Sequence, residues 1–335
     1  MTKPLSDAAL RAGMLAACRT ARCWLGATAP NPPVGAAALD AHGNIIGVAA
    51  HQRAGEGHAE ALLLEQLRAR NLLAAVHTLC VTLEPCNHHG RTPPCAETIL
   101  TVGIRNVAIG VRDPNPKVVG GGAERLQAAG VAVTLGVEAE RCTQLIYAFA
   151  HSVTAGRPWL TVKRAFDAQG SMIPQPGQKT FTSPAGLKLA HRLRKRADAI
   201  LTGSGTILAD NPCFTVRHVS EFPRKQRLLA ILDRRRRVPE AYLVDAQARG
   251  FAPVIYDAIE EALADLAARG VLDILAEAGP QLAASLLASP FWTQDIVIQT
   301  GGDERITLQY HPDLTGTIGW QLENMLPEEN DDAER

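Results

Sequence analysis

The chain has 335 residues, of which 46% are hydrophobic and 20% charged, a composition that provides a packed core and excludes wholesale disorder. Lysine plus arginine and aspartate plus glutamate both number 34, and this balance argues against non-specific binding to nucleic acid or to an anionic membrane. The sequence shows neither the roughly 18 uninterrupted apolar residues of a membrane helix nor a signal peptide. We therefore expect a cytoplasmic protein whose seven cysteines are thiols or metal ligands rather than disulfides.

Helices and strands alternate through the first half of the chain. Helices are predicted at 5–17, 58–70, 96–101, 123–129 and from 138 through Phe149, and strands at 34–39, 78–83, 106–111 and 131–137. Alternation of elements of this length favours a layered α/β domain over residues 1–150. The polar stretch at 151–158, which contains glycine and proline, is typical of a connector between domains.

The alternation restarts after this stretch and predicts a second α/β domain over residues 158–326. Strands are predicted at 159–166, 199–202, 228–232, 254–256 and 272–276, and helices at 183–196, 258–269 and 280–288. The stretch 200–217 is expected to run from a strand through a Gly/Ser turn and a short apolar segment to another strand. An acidic tail at 327–335 is expected to be frayed.

The strongest chemical signal is one histidine and two cysteines from separate segments. His58 begins the tripeptide His-Ala-Glu, Cys86 follows a proline, and Cys95 comes nine residues later. One imidazole and two thiolates provide three zinc ligands, and a catalytic zinc keeps its fourth position for water, whose pKa falls from about 15.7 to about 7. Glu60 can face that water and move its proton, as the glutamate of zinc nucleobase deaminases does without being a ligand.

Two other interpretations of these residues stay open at this point. Cys86 and Cys95 could be ordinary buried thiols, or His88 or His89 could complete a structural zinc site with four protein ligands. The spacing also differs from the Cys-x-x-Cys of the deaminase signature.

Longer stretches around these residues carry a resemblance to a known family. NPPVGAAA, HAE, TLEPCNHHGRTPPC and DPNPKVVGGGAERLQAAGV are similar to the deaminase half of the bifunctional riboflavin-biosynthesis deaminase–reductases, and the nine-residue cysteine spacing is that family's own. The resemblance implies a cytidine-deaminase-like three-layer domain. It also implies that zinc binds to His58, Cys86 and Cys95 and that Glu60 is the proton shuttle.

The same resemblance implies substrate contacts from Asn31, His51 and Arg91. An amide can pair with the edge of a pyrimidine, and a guanidinium suits a phosphate. Without the resemblance, a turn asparagine, a surface histidine and a solvated loop arginine would explain these residues.

Two stretches of the second half, RADAILTGSGTILADNPCFTVR and AEAGPQLAASLL, resemble the reductase half of the same family, which has a dihydrofolate-reductase-like fold. The resemblance places NADPH beside Ala165, Thr180, Thr206, Asp210, Gly279, Pro280, Gln281, Leu282, Ala283, Ala284 and Ser285. It places the substrate beside Gln178, Arg194, Phe214, Arg217 and Glu277. The arginines suit a sugar phosphate and the glutamate suits the hydroxyls of an opened ribose, although a solvated basic helix end would also explain the arginines.

The second half also departs from the family pattern. Where the family reads Lys-x-x-x-Ser-Leu-Asp-Gly, this chain has Gln169 in place of the aspartate and Asp167 in place of the serine. Glutamine cannot carry charge, so an acid role at that position is lost. After Trp292 the sequence gives no clear match to the family's final strands. The run Arg234–Arg237 is predicted to be a solvated turn.

The sequence therefore predicts a two-domain enzyme of riboflavin biosynthesis. Zinc-dependent hydrolytic deamination of a diaminopyrimidinone that carries a ribosylamino phosphate would precede NADPH reduction of the ribosyl group to ribityl. The expected partners are this small phosphorylated pyrimidine and further copies of the chain, without nucleic acid or membrane. The main alternative is a deaminase whose second half is a degenerate reductase that only binds substrate or organises the oligomer. The remaining alternatives are a nucleic-acid base-editing enzyme and a non-enzymatic interaction module that is stabilised by a structural zinc ion.

Overall fold

The computed structural model describes residues 3–87, 93–115, 121–175, 180–222, 225–300 and 304–314. The chain divides into two compact units, Met1–Thr154 and Ala155–Arg335. Several predictions fall outside the described residues: those for the loop histidines, Arg91, Gln178 and the acidic tail. None of the helices in the described ranges combines the length and the apolar character needed to cross a bilayer.

The first unit is built on a mixed sheet. Its described strands are β1 (Gly35–Leu39), β2 (Ile45–Ala50), β3 (Thr78–Leu83), β4 (Asn106–Val111) and β5 (Ala132–Leu135). Its described helices are α1 (Asp7–Arg22), α2 (Ala59–Ala69), α3 (Cys95–Val102), α4 (Gly122–Ala128), α5 (Ala139–Leu145) and α6 (Tyr147–Ala155), with a 3-10 turn at Leu73–Ala75. The strand order is β2-β1-β3-β4-β5, in which β1 runs antiparallel to both neighbours and β3, β4 and β5 are parallel.

Both faces of this sheet are covered, as the alternation of side chains along β1 shows. Ala36 and Ala38 pack into a core with apolar residues of α2, α3 and α4. Ala37 and Leu39 point the other way and pack with apolar residues of α1 and α5. Successive residues of a strand face opposite sides of the sheet, so the first unit has three layers, helix, sheet and helix.

The second unit contains a larger, mostly parallel sheet. Its described strands are β6 (Trp159–Phe166), β7 (Ala199–Gly203), β8 (Arg227–Leu232), β9 (Phe251–Tyr256), β10 (Asp273–Glu277), β11 (Gln294–Gln299) and β12 (Arg305–Tyr310). Its described helices are α7 (Pro184–Arg196), α8 (Ser204–Asp210), α9 (Glu240–Ala248), α10 (Ile259–Ala268) and α11 (Pro280–Leu287). The strand order is β12-β11-β6-β10-β7-β8-β9, and every pairing is parallel except that of β11 with β12.

Local sequence signals set where several helices begin. The Ser6 hydroxyl accepts a hydrogen bond from the amide of Ala9 at the start of α1. The Ser183 hydroxyl accepts from the amide of Gly186 at 3.0 Å, and Pro184 occupies the first position of α7. Serine caps of this kind satisfy amides that have no partner within the helix, which explains why the predicted helix starts agree with the structure.

The structure corrects the sequence prediction in the stretch 151–158. Helix α6 continues through Ala155, so most of the predicted connector is helical. Burial explains the difference, because His151 is buried within this helix despite its polar side chain.

The structure also corrects predictions in the second unit. The expected strand at 214–217 is absent, and this segment is neither helix nor strand; Phe214 has a φ of 55°, in the left-handed region that a strand cannot include. The final strands that the sequence does not reveal after Trp292 are present as β11 and β12. Three further elements, β2, α8 and α9, are not predicted from the sequence.

Candidate functional sites

The imidazole of His58 and the sulfurs of Cys86 and Cys95 meet in the first unit. His58 Nδ1 lies 3.5 Å from Cys86 Sγ and 3.3 Å from Cys95 Sγ, and the three donor atoms lie within 4.8 Å of one another. Zinc bonds of about 2.3 Å to sulfur and about 2.0 Å to nitrogen place tetrahedral ligand atoms roughly 3.5–3.8 Å apart. The donor set and its spacing therefore fit one zinc ion.

The ends of two helices position these ligands. His58 is the N-cap residue of α2 and has extended backbone geometry, whereas Cys95 is the first residue of α3. Cys86 lies in the loop after β3, and its sulfur accepts a hydrogen bond from the Cys95 amide at 3.3 Å. The partial positive charge of a helix N-terminus favours an anion such as a thiolate. The fold therefore directs positive backbone groups towards the place where two thiolates are needed.

The two ligand thiols differ in pKa. A hydrogen bond from the Cys95 thiol, with a smaller one from His58, lowers the pKa of Cys86 to about 4. The same thiol–thiol hydrogen bond, together with burial, raises the pKa of Cys95. Cys86 is thus the more acidic of the two thiols, and a metal ligand must be deprotonated.

Glu60 lies in the first turn of α2 and is only 3% exposed. Its carboxyl group hydrogen-bonds with the Cys95 thiol, which places it directly beside the three ligand atoms. Burial raises the pKa of Glu60 above its ordinary value. A carboxyl group with a raised pKa is suited to accept and return a proton near neutral pH.

The structure brings Asn31 and His51 next to this cluster. The His51 ring lies 5.6 Å from the His58 ring, centre to centre. His51 Nδ1 lies 3.0 Å from the carbonyl oxygen of Gly57, which can only accept, so Nδ1 carries the proton and Nε2 accepts from Asn31 Nδ2 at 3.1 Å. This arrangement turns the amide group of Asn31 so that its oxygen is left to accept a hydrogen bond from a substrate.

Glu84 is a residue of this site that sequence reasoning did not identify. Its buried carboxylate accepts hydrogen bonds from the amides of Asp113 and Ala123, at 3.1 and 3.0 Å. A Cβ atom at Gly121 would lie 1.8 Å from the same carboxylate, and one at Gly122 would lie 1.9 Å from the Pro85 carbonyl oxygen, so glycine allows these segments to approach closely. Glu84 thereby anchors the loop that carries Cys86 to β4 and α4. The three consecutive glycines before α4 were the available signal for this close approach.

Glu277 is the centre of a second cluster, in the second unit. Arg194 on α7 forms a bidentate pair with it, with Nε 2.5 Å from Oε1 and Nη2 2.9 Å from Oε2. Lys163, the residue opposite Glu277 in the β6–β10 register, has its Nζ 3.2 Å from Oε2. Burial alone would raise the pKa of Glu277, but the charges of Arg194 and Lys163 hold it well below its ordinary value. The two cations therefore keep the buried Glu277 carboxylate ionised.

The non-regular segment 214–217 joins this cluster. Its Thr215 carbonyl accepts a hydrogen bond from Arg194 Nη1 at 3.2 Å, and Arg217 Nη1 donates to the Thr215 hydroxyl at 2.7 Å. The ring of Phe214 is buried. Of the five residues predicted to contact the second substrate, Arg194, Phe214, Arg217 and Glu277 thus converge, and Lys163 is an addition that the prediction missed.

Two helices begin beside this cluster at the carboxyl edge of the sheet. Helix α8 follows β7, α11 follows the parallel neighbour β10, and the Gly279 amide donates to the Thr206 hydroxyl at 2.9 Å between them. The N-cap residues of both helices are glycines, Gly203 and Gly279, whose lack of a side chain leaves room for a ligand at the amides of the first turn. A Cβ atom at Gly205 would meet nothing within 4 Å, so there is open space beside these amides. Free amides at a helix N-terminus bind phosphates, so this edge fits the pyrophosphate of a dinucleotide.

The other residues predicted to contact NADPH occupy different environments. Thr206 and Asp210 lie one turn apart on α8, and Ala165 lies on β6. In α11, the Ala283 side chain is buried in the core, and the half-buried Leu282 side chain packs against that core. The remaining predicted residues are half-buried or exposed: Thr180, Gly279, Pro280, Gln281, Ala284 and Ser285.

The structure explains the role of Asp167, which stands two residues before Gln169, the position of the family's aspartate. Asp167 Oδ1 accepts hydrogen bonds from the amides of Gln169 and Ser171, at 2.9 and 2.8 Å, and so closes the turn after β6. The Gln169 side chain is exposed. The carboxylate that pairs with Lys163 in the second cluster is therefore that of Glu277 and not that of Asp167.

Comparisons with known proteins cover both halves of the chain. Residues 10–111 match the cytidine and deoxycytidylate deaminase zinc-binding region, and residues 158–292 match the RibD C-terminal domain. The riboflavin biosynthesis protein RibD of Mycobacterium tuberculosis is 38% identical over 78% of this chain and 76% of that protein. The RibD of Corynebacterium ammoniagenes is 33% identical over 94% of this chain and 92% of that protein. This chain belongs to the RibD family.

Other relatives and a solved structure extend this result. The match to RibD of Aquifex aeolicus, at 41% identity, spans 64% of this chain and 59% of that protein. The crystal structure of a diaminohydroxyphosphoribosylaminopyrimidine deaminase/5-amino-6-(5-phosphoribosylamino)uracil reductase from Thermotoga maritima superimposes with a TM-score of 0.77 at 31% identity. The superposition covers 88% of this chain and 87% of that one. The predicted family and both predicted folds are therefore confirmed. The matched deaminase region is a zinc-binding region, and His58, Cys86 and Cys95 fit a zinc ion.

Proposed function

We propose that this RibD protein catalyses two successive steps of riboflavin biosynthesis. In the first step it deaminates a diaminopyrimidinone that carries a ribosylamino phosphate, and in the second it reduces the ribosyl group to ribityl with NADPH. The observation that carries the proposal is that one chain holds a three-ligand metal site beside Glu60 and an Arg194–Glu277–Lys163 cluster beside two uncapped helix starts.

The first unit supplies the groups that deamination needs. His58, Cys86 and Cys95 would hold the zinc, which when bound supplies a nucleophile at neutral pH by lowering the pKa of water to about 7. Glu60 accepts the proton of that water and returns it to the amino nitrogen, which leaves as ammonia. The amide oxygen of Asn31, oriented by His51, accepts a hydrogen bond from the pyrimidine and holds its reacting carbon towards Glu60.

The second unit supplies the groups that reduction needs. NADPH, held at the starts of α8 and α11, provides the hydride when bound. Opening of the ribose ring leaves C1′ double-bonded to the amino nitrogen and puts a proton on the former ring oxygen, after which the hydride adds to C1′. The Lys163 side chain beside Glu277 is a proton donor for that oxygen within the cluster. Glu277 accepts hydrogen bonds from ribose hydroxyls, and the guanidinium groups of Arg194 and Arg217 bind the phosphate.

The proposal includes a cytoplasmic location and a homo-oligomeric state. The cysteines of the chain are free thiols, and thiolate ligands persist in a reducing compartment. Exposed Ile45 and Val48 on the edge strand β2 support association between copies. Light scattering of the purified protein measures the oligomeric state.

Two assays on the purified protein test the proposed function. Incubation with the diaminopyrimidinone phosphate should release ammonia without NADPH. Addition of NADPH to the deaminated substrate should oxidise the NADPH, which is measured by its absorbance. Ammonia release without NADPH oxidation would support the deaminase-only alternative. Absence of both reactions in zinc-loaded protein would overturn the proposal.

A further inference from the structure

His191 on α7 lies among the residues assigned to the second substrate, and it was not predicted. Its side chain is 2% exposed. Its Nδ1 atom accepts a hydrogen bond from the Arg217 amide at 2.8 Å, and its Nε2 atom lies 3.5 Å from Arg194 Nη1. Its ring contacts the ring of His218 edge to face, with 4.6 Å between centres. One buried imidazole thus contacts both arginines of the cluster.

These contacts fix the protonation state of the ring. A backbone amide can only donate, so Nδ1 carries no proton, and a neutral imidazole then carries its proton on Nε2. Burial, followed by the charges of Arg194 and Arg217, lowers the pKa of His191 to about 4, which keeps the ring neutral at neutral pH. His191 Nε2 therefore cannot accept a hydrogen bond from Arg194, and the one acceptor atom of the ring serves the Arg217 amide.

The segment that His191 contacts needs external support. Residues 214–217 form neither helix nor strand, and Phe214 adopts a left-handed φ of 55°, which is unfavourable for a bulky residue. Two hydrogen bonds fasten the segment to α7: the Arg217 amide to His191 and Arg194 Nη1 to the Thr215 carbonyl. Loss of the first would leave a part-buried donor unsatisfied and release the end of the segment that carries Arg217.

We propose that His191 is a positioning residue of the reductase site, and that it holds the backbone of Arg217 in the substrate-binding conformation by acting as a neutral acceptor. It acts through the backbone of Arg217 and does not touch the reacting atoms. This inference rests on the proposed reduction step and adds to it a residue that determines how tightly the substrate binds.

Three substitutions at one position test the inference. His191→Leu removes the acceptor; His191→Asn restores an acceptor oxygen at the place of Nδ1; His191→Gln puts its amide one bond farther out. We expect His191→Leu to raise the KM for the deaminated substrate about tenfold or more, the size expected for one buried hydrogen bond, while kcat changes less than about threefold. We expect His191→Asn to restore KM to within about threefold of wild type.

Matched readouts separate this role from general damage. Ammonia release by the first unit and NADPH binding, followed by fluorescence, should stay at wild-type values in all variants. His218→Leu, which removes only the exposed ring against His191, should leave KM unchanged. A wild-type KM in His191→Leu would overturn the inference, and so would a His191→Asn variant as impaired as His191→Leu.

Two further outcomes are also decisive. If His191→Leu does not fold, the comparison of His191→Asn with His191→Gln replaces it, and equal KM values in these two would overturn the inference. If the wild type does not oxidise NADPH, the proposed reduction fails, and calorimetric affinity for the deaminated pyrimidine phosphate then takes the place of KM with the same expectations.

Discussion

The two units present their chemistry in different ways. In the first unit, the groups that matter are defined by atom type: one imidazole and two thiolates, placed by helix starts at His58 and Cys95. In the second unit, Glu277 is held between two cations contributed by β6 and α7, beside backbone amides and a non-regular segment. A metal demands particular ligands, whereas a phosphate or hydride site needs only charge and free amides that many residue types supply. The comparison predicts that the two activities can be removed separately.

The largest expected effect is that of metal removal. Chelation followed by desalting should abolish ammonia release and leave NADPH oxidation with deaminated substrate unchanged, because the ligand cluster lies wholly in the first unit. Zinc added back should restore ammonia release. Parallel loss of both activities would contradict the separation of the two sites.

Substitution of the proton carrier comes next. Glu60→Gln should reduce ammonia release about a thousandfold, within the range for loss of a general acid–base group, because an amide cannot carry the proton. Zinc content and NADPH oxidation should match those of wild type. Turnover at the wild-type rate would show that Glu60 is not the proton shuttle.

The corresponding change in the second unit is Glu277→Gln. It leaves Arg194 and Lys163 without their carboxylate in a buried position, and breaking a buried pair in this way costs about 3–5 kcal/mol. NADPH oxidation should fall more than tenfold, the free energy of unfolding of the second unit should fall, and ammonia release should persist. Retention of full reductase activity would remove Glu277 from the site.

The Glu277 pair also has a pH signature. Because Arg194 and Lys163 hold the pKa of Glu277 below its ordinary 4.5, the folded state takes up that proton less readily than the unfolded state. The stabilisation is therefore complete above about pH 4.5 and is lost as the pH falls below this value. Urea unfolding of the wild type and Glu277→Gln should show a difference that is constant near neutral pH and shrinks under acid conditions. A difference that grows with acid would contradict the sign of the shift.

The smallest effect on NADPH oxidation is expected at Gln169, where this sequence departs from the family pattern. Gln169 is exposed and Asp167 closes a turn, so Gln169→Ala should leave NADPH oxidation within about twofold of wild type. A large loss would mean that the turn after β6 takes part in the reaction.

The same difference between the two units determines how many residues of each site the sequence predicts. His58, Cys86, Cys95 and Glu60 were predicted because few residue types can hold zinc or shuttle its proton, and the structure brings all four together. Lys163 was missed because its partner Glu277 lies in a distant strand, and only the β6–β10 register sets them opposite each other.

The same limit applies to elements of the fold. Strand β12 alternates exposed and half-buried residues, a signal that was present, but β11 is identified only by its place beside β6 in the sheet. The segment 214–217 has the composition of a strand, and its left-handed turn at Phe214 depends on contacts with α7 that no local pattern encodes.

Zinc K-edge X-ray absorption of the purified, metal-loaded protein tests the central claim most directly. The account predicts two sulfur ligands at about 2.3 Å, one imidazole nitrogen at about 2.0 Å and one light ligand from outside the chain. Four ligands that all come from the protein, or protein that retains no zinc, would contradict it.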